Sequence, residues 1–376
     1  MICLRCPNGC HLTVTGEAEG NARVAGNRCE KGLAFARQVL GGRSPAGSLR
    51  HFVSTEKKDY DPGTLGQVVA LWGMEFAQVR RHLMPEGSPE RTLFRAVVED
   101  TAGGLWTVEE IVPATYLTKM RIVRTLEVLS REGMPGVLPY RKGLDGEYLQ
   151  SFRGGLWQMV PFIPGERLDR ALYLYEGWRA RPLASFLIEL RKRSGALTFL
   201  DHDVPFSMNS YIDRLIGQIE RNRPAIVPRV LRVTQFLEAG LYRDMDRIPV
   251  HFSHGDFHPL NVIWGKDDVR AVIDWEFLGL KPEIYDTCNM LGCLGIENPD
   301  SLMRDLSVGF VTDLKRAGIF APVSWTRLVD HIVALRFAWL SEWLRKRDEE
   351  MVEMELDYMD LLIEHRTDLM ASWGLD

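Results

Sequence analysis

The chain has no apolar run approaching the roughly 18–20 residues that cross a bilayer, so no membrane helix is expected. Its first residues, M-I-C-L-R-C-P, lack the basic stretch and apolar core of a secretory signal, and the expected compartment is the cytoplasm. Excess positive charge is also missing. Lys and Arg number 46 against 51 Asp and Glu, a net charge of −5, which gives no electrostatic footprint for nucleic acid. Cysteine is scarce at six, and in the cytoplasm thiols stay reduced or bind metal rather than form disulfides. What remains is a 376-residue chain with 45% hydrophobic and 26% charged residues, the make-up of a globular protein with two or three domains.

Four of the six cysteines, Cys3, Cys6, Cys10 and Cys29, fall in the first 29 residues as C-x2-C-x3-C-x18-C. Three close thiols and one distant thiol suit a [4Fe–4S] cubane, wrapped by a tight loop and closed by a later segment. Zinc more often takes two C-x2-C pairs, and it stays open as the alternative, as do four thiols without metal. About fifty residues build little core unaided, so a metal staple would explain how the segment folds. C-P-N-G-C-H-L-T-V with V-A-G-N-R-C-E-K-G-L-A-F-A resembles a small bacterial and archaeal cysteine-motif domain of unknown function. It is similar also to the cluster-binding segment of molybdopterin oxidoreductases, although no molybdopterin-binding body follows. A metal or redox centre is what the resemblance implies, and such a domain could also dock a protein partner. Residues 1–50 are read as this domain. A Gly/Ser/Pro cluster at 41–48 then leads into a polar linker over 51–64.

Residues 65–165 read as a first lobe. Leu65 to Met84 has helical periodicity, with Leu65, Val68, Val69, Trp72, Phe76 and Val79 on one stripe. Thr92–Glu99 and Leu105–Val112 flank Asp100-Thr101-Ala102-Gly103-Gly104 as a hairpin. Lys119 to Glu132 reads as a helix ending at Gly133, with Ile122, Val123, Leu126 and Leu129 inward. Short strands are expected at Val137–Tyr140 and Tyr148–Phe152, and a longer one over Gly155–Phe162, with Pro161–Gly165 as a hinge.

Residues 166–376 turn mostly helical, at Leu183–Arg193, Met208–Arg221 and Arg229–Leu241. The strand Val250–Phe252 then enters S-H-G-D-F-H-P-L-N, and Val262–Trp264 with Ala271–Ile273 forms a hairpin ending in V-I-D-W-E-F. Asp256, Asn261 and Asp274 thus stand in the order and spacing of a kinase-type phosphoryl-transfer site. Asp256 is the candidate carboxylate that orients or deprotonates an acceptor hydroxyl. Asn261, a neutral oxygen ligand, and Asp274, the stronger ligand, would hold Mg²⁺ on the phosphates. His254 reads as structural, at the base of the loop. His258 stands open between an acceptor-side role and none, and Asp286 in P-E-I-Y-D reads as a loop stabiliser or helix cap.

H-G-D-F-H-P-L-N-V-I-W with V-I-D-W-E-F-L-G and P-E-I-Y-D resembles the aminoglycoside phosphotransferase and choline kinase-like family, over about residues 65–365. The resemblance implies an α+β bilobal kinase-like fold, ATP or GTP with Mg²⁺, and a small-molecule hydroxyl acceptor. It carries over Asp256 as the catalytic base, with Asn261 and Asp274 as metal ligands. One departure stands out. The third strand, where a kinase lysine contacts the α/β-phosphates, reads L-W-T-V-E-E-I, with Glu109 and Glu110 in place of a lysine. Arg95 on the preceding strand is the candidate substitute, with Glu127 as its helix partner. The phosphate loop is also poor in glycine, offering Gly87. A non-catalytic nucleotide-binding sensor of redox state or iron is therefore the alternative to a small-molecule kinase, and an electron-transfer module on a docking scaffold is a third reading. Towards the carboxyl end, Trp339 and Trp343 at helical spacing read as core or as an aromatic cage for an ammonium. The acids from Asp348 to Asp360 read as a solvated helix face or as an attractor for a polycation.

Overall fold

The structure, a computed structural model, describes residues 58–83 and 91–375, together with the backbone of two short strands nearer the amino terminus. Those strands, β1 (Thr13–Thr15) and β2 (Arg23–Ala25), pair antiparallel with Thr13 opposite Ala25. Cys3, Cys6, Cys10 and Cys29 lie outside the described residues.

The chain divides into two compact units, and 138–163 belongs with the amino-terminal one. That unit opens with α1 (Pro62–Ala70), where the Asp61 side chain accepts from Thr64 N–H and Pro62 fills the first turn. Leu65, Val68, Val69 and Trp72 are buried as their spacing predicts. The expected helix to Met84 is not found. Gly73 takes a left-handed φ of +70° and ends the helical run, and Phe76 and Val79 fall in the strand β3 (Phe76–Val79). An i, i+3 apolar pair suits the helical period and not the strand period, and β3 brings both residues against one core only through a register shift between Phe76 and Gln78.

The expected hairpin is β4 (Thr92–Asp100) and β5 (Leu105–Ile111). Its turn is held by Asp100, which accepts from Ala102 N–H, Gly104 N–H and Trp106 Nε1–H. Next come α2 (Tyr116–Arg131), β6 (Gln150–Phe152) and β7 (Gly155–Pro161), completing an antiparallel sheet ordered β3-β4-β5-β7-β6. No strand covers Val137–Tyr140, contrary to expectation. Gly136, at φ +72°, turns the chain just before it, and the segment packs by side chains such as the buried Val137 instead of joining a ladder.

Strand alternation gives the sheet two unlike faces. Ala96, Val98, Val108, Trp157 and Met159 form a core with Val68, Val69 and Trp72. At the end of this face Glu110 accepts from Lys58 Nζ at 2.6 Å and from Tyr60 OH at 2.7 Å. Arg95, Glu109 and Gln158, paired across β4, β5 and β7, occupy the opposite face.

The second unit is mainly helical. It contains α3 (Ala180–Arg193), α4 (Met208–Asn222) and α5 (Val227–Ala239), then the strand β8 (Val250–Ser253). The hairpin of β9 (Val262–Trp264) and β10 (Val269–Val272) follows, and β11 (Gly279–Pro282) returns to pair with β8. Five longer helices complete the chain: α6 (Tyr285–Glu297), α7 (Asp305–Ala317), α8 (Leu328–Lys346), α9 (Glu349–Glu364) and α10 (Arg366–Ser372). The buried Arg336 of α8 pairs with the buried Glu355 of α9, and Trp343 Nε1–H adds a bond to the same carboxylate at 3.2 Å. Among the described residues no helix is long and apolar enough to cross a membrane.

Candidate active site

Strand β8 delivers His254 into the unit's interior, where it is fully buried. Its Nδ1 accepts from Asp256 N–H at 3.1 Å, so the proton sits on Nε2, which donates to the Ile273 carbonyl at 3.0 Å. Burial pushes the imidazole down to about 4, which keeps it neutral and in this tautomer. The ring also packs edge-on against Trp275 at 4.5 Å. The expected structural role is the one its contacts describe.

Gly255 follows at φ +87°, and a Cβ there would overlap the carbonyl oxygen of Phe277. The turn is anchored by Asp286 at the start of α6, which accepts from His254 N–H at 2.7 Å and from Gly255 N–H at 2.8 Å. Burial raises the Asp286 carboxyl to about 6, even though these two amides and the nearby Lys281 favour its ionised form. Lys281 itself is buried, 4.9 Å from the ring centroids of Phe206 and Tyr285.

Asp256 sits at the loop tip. Asn261 Nδ2 donates to its backbone oxygen at 2.9 Å and to its Oδ2 at 3.1 Å. His258 Nε2 stands 3.7 Å from Oδ2, while its Nδ1 accepts from Leu260 N–H, so the protonated nitrogen faces the carboxylate. Burial alone would raise Asp256. The neighbouring His258, with lesser help from His254 and Asn261, outweighs it and holds the carboxyl below its ordinary value.

Asn261 and Asp274 are tied through the backbone. Ile273 N–H donates to the Asn261 carbonyl at 2.9 Å, so β10 ends alongside the loop. Asp274 then turns into the left-handed region, at φ 61° and ψ 63°, with its side chain on the exposed surface. Because the Asn261 amide nitrogen is engaged by Asp256, its Oδ1 is the atom it can offer a cation. One carboxylate and one amide oxygen form a hard-oxygen donor set that fits Mg²⁺, whose shell is normally completed by phosphate and water. Among the described residues no group of three or more His, Cys, Asp or Glu side chains is placed to hold a metal ion, so this pair would need those further ligands.

In the amino-terminal unit, Arg95 pairs through Nε with Glu109, the residue opposite it on β5, and Gln158 Nε2 donates to the other oxygen of Glu109. Glu127 accepts from Lys142 Nζ at 2.7 Å. Burial would raise Glu109, but the charges of Arg95 and of Lys119 on α2, with hydrogen bonds from Gln158 and Arg95, hold it below the usual carboxylate value. Lys119 and Lys281 are the residues that the motif reading passed over. Both are buried lysines, and burial of an ammonium is the physical signal, one that needs the fold to be seen.

At the carboxyl end the His258 ring meets Trp339 edge-on at 6.5 Å, and Trp339 stacks on Trp343 at 6.2 Å. A cation already lies close by, with the Arg336 guanidinium carbon 5.6 Å from the Trp339 ring centroid. The acids of α9 are extensively paired. Arg229 takes Glu353 at 2.9 Å, Asp357 at 2.6 Å and Asp360 at 3.1 Å, Arg223 takes Glu349, and Glu355 is buried with Arg336.

Residues 96–327, more than half of the chain, match the sequence profile described as the phosphotransferase enzyme family. Among solved structures, the chain is similar to an aminoglycoside phosphotransferase from Alicyclobacillus acidocaldarius, at 14% identity and a TM-score of 0.54, covering 89% of this chain and 98% of that one. It is also similar to the macrolide 2'-phosphotransferase MphH from Brachybacterium faecium, at 14% identity and a TM-score of 0.55, over 80% of this chain and 97% of that one. A third is a spectinomycin phosphotransferase in complex with ADP and spectinomycin, at 13% identity and a TM-score of 0.52, over 82% and 98%. At such identities the likeness concerns the fold, a sheet-rich amino-terminal unit followed by a helical one. No curated protein matches the chain.

Proposed function

The chain belongs to the phosphotransferase enzyme family, and we propose that it transfers the γ-phosphate of ATP or GTP to a hydroxyl of a small molecule in the cytoplasm. The observation that carries this reading is the constellation of Asp256, Asn261 and Asp274, drawn together by the Ile273–Asn261 backbone bond and the Asn261–Asp256 side-chain bond. Asp256, kept ionised, would accept a hydrogen bond from the acceptor hydroxyl, orient it in line and take its proton as the oxygen–phosphorus bond forms and the bond from the γ-phosphorus to the departing nucleoside diphosphate breaks. The transition state of phosphoryl transfer is loose, so this positioning matters more than basicity. Asn261 and His258 hold the carboxylate from two sides, while His254 and Asp286 fix the turn that presents it. Asn261 and Asp274 would hold Mg²⁺, which would supply neutralisation of phosphate charge. Arg95 and Glu127 remain the proposed nucleotide-side contacts of the amino-terminal unit.

His258 and Trp339 are proposed to border the acceptor, because the imidazole that faces Asp256 also meets the indole edge. The arginine pairing of α9 favours the solvated-face reading of its acids over a polycation trap. For the segment holding Cys3, Cys6, Cys10 and Cys29, the proposal stays a metal- or redox-linked accessory domain, [4Fe–4S] with zinc as the alternative and able to dock a protein partner. Its support is the cysteine spacing.

The carboxylate at Glu109 favours one second reading, a nucleotide-binding sensor without transfer. ADP release over a panel of amino alcohols, sugars and aminoglycosides, alongside Mg-nucleotide binding, separates the two. Acceptor-dependent release abolished in Asp256→Ala supports the enzyme. Tight binding with no turnover on any acceptor, and no slow hydrolysis sensitive to Asp256→Ala, supports the sensor.

A further inference from the structure

One face of α8 reaches the Asp256 loop. Arg336, Trp339, Trp343 and Lys346 follow one another at spacings of three, four and three, which sets their side chains in a single column along the helix. Trp339 meets the imidazole of His258, whose other side faces Asp256. The Arg336 guanidinium carbon, from one turn before, lies 5.6 Å from the Trp339 ring centroid. From one turn after, Trp343 stacks on Trp339 at 6.2 Å with 29° between the planes. Lys346 Nζ lies 5.0 Å from the Trp343 centroid. The column therefore runs cation, ring, ring, cation. The ring faces that an ammonium would need are taken up along the helix by the protein's own charges and by the neighbouring indole.

The carboxylates beside this column are engaged as well. Glu355 takes Arg336 at 2.9 Å and the Trp343 indole N–H at 3.2 Å, and Glu342 takes Arg345 at 2.6 Å and Lys346 at 3.2 Å. An amine placed here would stand beside two like charges, with the nearest acids already paired, and such juxtaposition selects against a cationic ligand. Both indoles are half-buried, and their edges carry the positive rim of the ring quadrupole, which favours oxygen lone pairs over ammonium groups.

We infer that the acceptor is a neutral polyhydroxylated molecule, a sugar or polyol, and that the α8 column selects against its amino-substituted counterparts. This rests on the phosphotransfer reading above and names the substrate class of the same site. One hydroxyl goes to Asp256, and the remaining hydroxyls and carbon skeleton lie along His258 and the edge of Trp339.

Calorimetric titration of the full chain with matched pairs tests the inference without relying on turnover. Each pair sets a sugar or polyol against its amino counterpart, such as glucose against glucosamine and glycerol against 3-amino-1,2-propanediol, with kanamycin as a polycation. At least one neutral member should bind about tenfold or more tightly than its amino partner, and more tightly than kanamycin. Equal or tighter binding of the amino members, or no binding of any neutral member, would overturn the inference. Lys346→Met removes the exposed cation at the end of the column, and should narrow the preference within a pair by about threefold or more. An unchanged preference would contradict the role given to the column. Selective binding of a neutral member without ADP release from ATP would remove the phosphotransfer reading instead, and leave the selectivity of the site standing.

Discussion

The backbone amide of Ile273 donates to the carbonyl of Asn261 at 2.9 Å, and this bond extends the β9–β10 pairing to the end of the loop that carries Asp256. Asp274 follows Ile273 in a left-handed turn, so the proposed metal ligands are set by main chain rather than by long side chains. Asp274→Ala should therefore leave the fold intact and raise the Mg²⁺ concentration needed for half-maximal turnover by about tenfold or more. A magnesium titration of initial rates checks this, and an unchanged requirement would place the cation elsewhere.

Asp286 and Gly255 support the site from behind. Asp286→Ala strands two buried amides at roughly 1–3 kcal/mol each, and activity should fall with stability. Gly255→Ala combines a positive φ with an overlap on the Phe277 carbonyl, and should lower the melting temperature more than Asp256→Asn does. Thermal unfolding of the three variants side by side gives the comparison.

The loop motif was legible because its chemistry is local. Asp256, Asn261 and the role of Asp286 follow from one short stretch and a helix start. The hairpin Thr92–Asp100/Leu105–Ile111 was legible too, since Asp100 and Gly103-Gly104 mark its turn. The sheet register was not. Glu109 and Glu110 are adjacent and alike in sequence, yet one is gripped by Arg95 and Gln158 and the other by Lys58 and Tyr60. Only pairing with β4 and β7 decides which carboxylate faces which side. The same register gives Arg95 its cross-strand neighbour Glu109 as partner, while Glu127, the helix partner expected from the sequence, takes Lys142.

Acid should destabilise the protein through its buried histidines. His254 and His331 are both lowered to about 4 by burial, below their unfolded value of about 6.5. The unfolded chain therefore binds more protons between these values, and stability present above about pH 6.5 is lost as pH falls towards 4, about 3 kcal/mol for each histidine. Asp286, raised to about 6, acts oppositely: its folded form binds the extra proton, which offsets about one histidine over the same window. The net expectation is a loss of about 3 kcal/mol between pH 7 and pH 4. Urea unfolding across this range should show the fall, and His331→Gln should flatten it.

Arg336 and Glu355 are both almost fully buried, and breaking one side leaves the other charge without its partner. Glu355→Ala should cost about 3–5 kcal/mol, whereas replacing both residues with apolar side chains of similar volume should cost much less. Equilibrium denaturation of the single and double variants measures the difference. Because Arg336 also lies under Trp339, the single variant should in addition alter acceptor KM.

The central claim is that Asp256 presents an acceptor hydroxyl for phosphoryl transfer. It is tested most directly by following label from the γ-position of ATP or GTP into an acceptor, with the unaltered protein and with Asp256→Asn. The account predicts labelled acceptor from the unaltered protein, a rate lower by about 10²–10⁴ in Asp256→Asn, and nucleotide affinity within about threefold in both. Equal transfer by the two proteins, or label passing only to water in both, would contradict it.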